Sequence, residues 1–106
     1  MTTLSEEFMK KVAELYQNNR TKLENLDESA LEKFASKILE LIKKEKKQSS
    51  ALHDLQILEY NMGKLKNYAE ALATYKPDTD EYDFTKNDCK NIVDATKKWL
   101  TLENKI

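Results

Sequence analysis

The sequence predicts an all-α protein, a small antiparallel four-helix bundle. Three observations carry that expectation. The 106 residues contain one glycine and one proline, too few turn formers for a chain built of many short strands. Apolar residues recur at spacings of three and four in four separate segments, which is the period of an amphipathic helix. Short polar residues suited to capping a helix start stand ahead of these segments. One domain, residues 1–106, accommodates this length, with a core just large enough to fold unaided.

The first helix is expected over residues 4–24, starting at Thr3 or Ser5. Thr3 with Glu6 matches the reciprocal capping box. Leu4, Phe8, Val12, Leu15 and Tyr16 mark its apolar face, with Leu23 and Leu26 as its continuation. Asn18 and Asn19 interrupt that stripe, and asparagine often ends helices, so a shorter helix ending near Asn19 is the alternative. The second helix, 28–47, has two competing caps, Asp27 and the box Ser29 with Glu32. Its buried stripe is Leu31, Phe34, Ala35, Ile38, Leu41 and Ile42. It closes in "KKEKK", where positive charge meets the negative end of the helix dipole.

The third helix, 50–75, carries a heptad seam of Leu55, Leu58, Met62, Leu65, Ala69 and Leu72. Tyr60, Tyr68 and Tyr75 run beside the seam on a strip of their own. Gly63 interrupts the helix at a cost of about 1 kcal/mol against alanine, a position that often marks close approach of another backbone. Lys76-Pro77 ends the helix. Residues 77–84, "PDTDEYDF", read as an acidic linker, and Thr85 with Asp88 as the cap of a last helix over 86–103. The face of that helix is Cys89, Ile92, Val93, Thr96, Trp99 and Leu100.

Composition excludes several classes of function. A net charge of −1 argues against a general polyanion binder, which needs a basic excess on one face. A nucleic-acid role is therefore disfavoured. A single cysteine, Cys89, forms no internal disulfide and no cysteine zinc site, and suits a reducing compartment. The N-terminus turns charged within six residues, and no apolar run reaches the roughly 18 residues of a membrane span. A cytoplasmic protein is expected. "DTDEYD" fails as a calcium loop, since the template needs glycine at its sixth position and glutamate at its twelfth. Asp83 and Cys89 stand there instead. No cofactor motif and no metal-ligand spacing is present.

One stretch bears on chemistry. "HDLQILEYNMG", His53 to Gly63, resembles the motif of histidine phosphotransfer domains, which pairs a histidine with a following leucine and a later glycine. Those domains are four-helix bundles of similar length. The resemblance implies His53 as a phosphoryl carrier and a response regulator as partner. The chain departs from the family at sensitive positions. Gln56 stands where the family has lysine, Ile57 where it has glycine, and Asp54 adds negative charge. The family histidine also lies mid-helix, whereas His53 falls about one turn from a helix start.

The function expected from these features is that of a small non-enzymatic protein-binding module, which docks onto another protein and inhibits or shields it. Inhibitors of the immunity, anti-defence, anti-CRISPR and phage type are of this kind, and in size and helix count the chain is similar to the helical bacteriocin immunity proteins. The expected contact residues are Tyr60, Tyr68, Tyr75 and Tyr82, with Asp80, Glu81 and Asp83 as an acidic rim. Tyrosine is the side chain favoured at such surfaces, though for the first three packing of a central helix against two neighbours is a full explanation and the one put ahead. The alternatives are a helical subunit or adaptor of a larger, even nucleoprotein, assembly, with the 50–75 seam pairing copies of the chain, and a degenerate phosphotransfer domain or mimic using His53.

Overall fold

The computed structural model describes residues 4–106 and holds five helices: α1 (Glu6–Asn18), α2 (Arg20–Glu24), α3 (Glu28–Lys46), α4 (Leu52–Thr74) and α5 (Asp80–Leu102). No strand occurs among the described residues. The four long helices form an all-α bundle measuring 47 × 22 × 18 Å. Their directions alternate. Ser5 at the start of α1 meets Glu45 at the end of α3, and Lys46 at the end of α3 meets Glu59 early in α4. Lys105, just past α5, reaches back to Glu6.

The first helix is interrupted where the asparagines stand. The Asn19 side chain donates to the Leu15 carbonyl at 2.9 Å, a local bond that competes with the helix ladder. The chain then makes the single extra turn of α2, so the continuous helix expected over 4–24 is two pieces. Leu26 ends α2 at φ 58°. Its N–H donates to Leu23 O and that of Asp27 to Lys22 O, the paired bonds of a Schellman motif. Asn104 closes α5 in the same way, at φ 59°. A leucine in this region costs about 1–2 kcal/mol, which the packing of Leu26 against the core offsets.

The caps show which sequence signals win. Ser5 caps α1, its Oγ accepting from Phe8 N; Thr3, the other half of the expected capping box with Glu6, lies outside the described residues. Asp27 caps α3 by accepting from Ala30 N at 2.9 Å, leaving Ser29 inside the helix. The larger correction concerns α5. Thr79, not Thr85, is its cap, accepting from Tyr82 N at 3.3 Å. The expected acidic linker over 77–84 is therefore mostly helix: Asp80, Glu81 and Asp83 form the first turn, where negative charge suits the helix dipole. Residues 75–79 are the whole connection.

The core is one cluster drawn from all five helices. Phe34 and Tyr16 meet edge to face, with ring centroids 6.3 Å apart. The α4 seam is buried along its whole length, covered by α3 on one side and α5 on the other. It is consumed inside the chain, so the pairing of copies through that seam does not hold. Gly63 also departs from expectation. A Cβ added there would meet nothing within 4 Å, so no neighbouring backbone requires the glycine.

Candidate docking face on α4 and α5

Six large apolar side chains are exposed among the described residues: Leu52, Ile57, Tyr60, Tyr75, Phe84 and Leu102. All belong to α4, α5 or the cap between them. The cause lies in the order of packing. Each apolar stripe needs a cover, and α1 and α2 lie against α3 and the C-terminal part of α5. One groove between α4 and α5 is lined by those two helices alone.

A cleft of about 250 Å³ opens there, lined by Asp54, Ile57 and Asn61 from α4 and by Ala95, Thr96 and Trp99 from α5. It falls below the 300–1,000 Å³ usual for small-molecule sites and suits the insertion of one or two side chains. Along α5, Phe84, Asn91, Ala95 and Leu102 follow each other at seven, four and seven, which places them on one stripe bordering the cleft. Tyr60, Lys64 and Tyr68 continue the face on α4. The Lys64 ammonium lies 5.2 Å from the Tyr60 ring centroid and 5.9 Å from that of Tyr68, within cation–π range of both.

The tyrosines expected at an interface divide. Tyr60 is 66% exposed and Tyr75 41% exposed. Tyr68 and Tyr82 are half-buried and pack against the core, so neither is a free anchor, and Lys86 lies over the outer face of Tyr82. Asp80, Glu81 and Asp83 are exposed and have a local reason to be there, as the first turn of α5. Phe84, Ile57, Trp99 and Leu102 were absent from the expected contact set. For Phe84 the missing signal was the helix start: once α5 begins at Asp80, residue 84 falls outside the Cys89, Ile92 and Val93 face.

Other candidate groups occupy quieter places. His53 is the second residue of α4 and is exposed, with Ile57 one turn further on, 51% exposed. The mid-helix setting of a phosphotransfer histidine is not reproduced. Cys89 is fully buried, and burial, with Asp88 next to it, pushes the thiol up to about 11, far from reactive thiolate. Lys11, Lys37 and Lys44 converge between α1 and α3 with Glu14 and Glu40 among them, so the surface there carries mixed charge. No three metal-binding side chains group together among the described residues, and no helix there is long and apolar enough to cross a membrane.

The polar group that sequence reasoning missed is Glu45, inside "KKEKK". Only 1% of it is exposed. Its carboxylate accepts from Ser5 N at 2.7 Å, Ser5 Oγ at 2.8 Å and Gln48 Nε2 at 3.2 Å, pinning the start of α1 to the end of α3. Burial pushes its pKa up, and the bonds from Ser5 and Gln48 outweigh this and hold it below the usual carboxylate range. Glu24 plays a related part at the other end, accepting from Arg20 at 2.9 Å and from the buried Tyr16 hydroxyl at 3.4 Å, with Lys97 of α5 3.8 Å away. Both carboxylates are joints of the scaffold. Comparison with protein-family models, with curated proteins and with solved structures finds no match for this chain.

Proposed function

We propose that this chain is a non-enzymatic docking module that binds another protein through the outer face of α4 and α5, and acts by inhibiting or shielding that partner. The observation that carries the reading is where the exposed large apolar side chains lie: among the described residues all six belong to α4, α5 or the cap between them, with Tyr60 one turn from Ile57 on α4 and Phe84 in line with Leu102 on α5. Exposed large apolar side chains gathered on one helix pair are the feature expected of an interaction face, and aromatic side chains are the usual anchors there.

The test is capture of a partner from a lysate of the source cells. The wild-type chain is set beside a Tyr60→Ala, Phe84→Ala variant and a control changed at Glu14 and Lys37, on the α1–α3 side. The reading expects one band retained by wild type and control and lost by the face variant, with helicity by circular dichroism the same in all three. A band that survives the face variant, or is lost only in the control, overturns it. Purified partner then gives the second readout, loss of its own activity as this chain is titrated in.

A further inference from the structure

The charges around the cleft say what kind of partner segment it fits. Six ion pairs occur among the described residues, joining Glu6, Glu7, Glu24, Glu59 and Asp94 to lysines or Arg20. None of them uses Asp54, Glu81 or Asp88. Asp54 lines the cleft itself. Glu81 and Asp88 share the stripe of Ala95 and Trp99, at spacings of seven, seven and four, and both are exposed. Of the α5 lysines, Lys90 is paired with Asp94, Lys97 faces Glu24 and Lys86 covers Tyr82, while Lys98, exposed and in none of these ion pairs, lies in line with Asn91 and Leu102 on the outer edge of the face, off the stripe of Glu81 and Asp88. Lys64 is folded over its two tyrosines.

We infer that the α4–α5 cleft receives a cationic amphipathic helix of the partner protein, whose apolar residues enter between Ile57 and Trp99 and whose lysines or arginines meet Asp54, Glu81 and Asp88. This rests on the docking reading above and names the partner's chemistry. Two antiparallel helices with an open seam between them present a groove for the ridges of a third. Ala95 is the small residue that lets its backbone come close. From Glu81 to Trp99 the stripe runs eighteen residues, about 27 Å at 1.5 Å each, the length of a partner helix of five turns. A second copy of this chain fits poorly, because like faces would set carboxylate against carboxylate. An anionic lipid or nucleic-acid surface meets the same repulsion.

The probe is a designed peptide of about twenty residues with leucines at heptad a and d positions and lysines flanking them, beside a twin in which every lysine is glutamate. Trp99 is the only tryptophan in the chain and borders the cleft, so its emission reports occupancy directly. The lysine peptide is expected to shift that emission saturably and to bind at least tenfold tighter than the glutamate twin. Ala95→Arg, at an exposed position, is expected to abolish the shift. The double change Glu81→Lys, Asp88→Lys is expected to reverse the preference between the twins.

Equal binding of the twins, or lysine-peptide binding that survives both Ala95→Arg and the double change, overturns the inference. So does an emission shift with protein concentration alone and a doubling of mass, which assigns the face to a second copy. If Ala95→Arg abolishes capture of the natural partner while neither peptide binds, the docking reading stands and the cationic helix falls. If Ala95→Arg leaves capture intact as well, both fall.

Discussion

The α1–α3 half and the α4–α5 half of this molecule use the same helical material for opposite purposes. In the first half every large apolar side chain among the described residues is buried or half-buried, and the exposed surface is charged. Its helix ends are tied by side chains: Ser5, Asp27 and Glu45 all satisfy backbone groups. In the second half the seam is equally well buried, yet large apolar side chains also point outward. α4 begins at Ala51 with no side-chain cap. A bundle gains nothing in stability from an exposed phenylalanine, so the difference separates what holds the fold from what is free for contact.

The widest contrast is between two phenylalanines. Phe34 is 2% exposed and Phe84 72% exposed. Phe34→Ala is expected to cost about 3–5 kcal/mol in a denaturant titration, while Phe84→Ala stays within about 0.5 kcal/mol. Similar costs for both would erase the distinction between the halves and place Phe84 in the fold's support.

Glu45 gives the next largest effect. Glu45→Ala removes the acceptor of three hydrogen bonds and leaves Ser5 N–H unpaired, a loss of about 1–3 kcal/mol; Glu45→Gln keeps part of the acceptor and loses less. Because the folded pKa is lowered, the unfolded chain binds more protons and the stabilisation is present above the ordinary glutamate value. It fades as pH falls below about 4.3 and through the folded pKa. Denaturation midpoints of wild type and Glu45→Gln should therefore differ most above about pH 5 and converge in acid. A gap independent of pH would refute a charged joint.

Two smaller changes sharpen the account of the second half. Thr79→Ala is expected to lower stability by about 1 kcal/mol, the usual worth of an N-cap, whereas Thr85→Ala, now mid-helix, should leave it nearly unchanged. The reverse order would return the helix start to residue 85. Gly63→Ala should raise stability by up to about 1 kcal/mol, since a Cβ there has open space. Thermal melts resolve both shifts, and a destabilised Gly63→Ala would reveal a neighbour close to that turn.

Much of the fold was legible in the chain, and the reason is visible in which parts were. The heptad seam of α4, the stripes of α3 and α5, and the stop at Lys76-Pro77 depend on residues near each other in sequence, and each lies where the period places it. The start of α5 was misread because two threonines each offered a cap and the acidic residues between them looked like solvated loop. The candidate face was half legible. Tyr60 and Tyr75 are exposed, but Tyr68, on nearly the same strip, is half-buried against the core. Helical spacing cannot separate them, because burial at each turn depends on how the packed core covers that position.

By itself, then, the sequence determined the helices, their caps in outline and the residues that must be hidden, all of which follow from local hydrogen bonding and a 3.6-residue period. Only the tertiary structure decided that Glu45 is a buried joint while its lysine neighbours are solvated, and that Phe84 and Ile57 stay outside while Tyr82 goes in. Exposure belongs to the gap between helices, and that gap exists only once distant segments have packed.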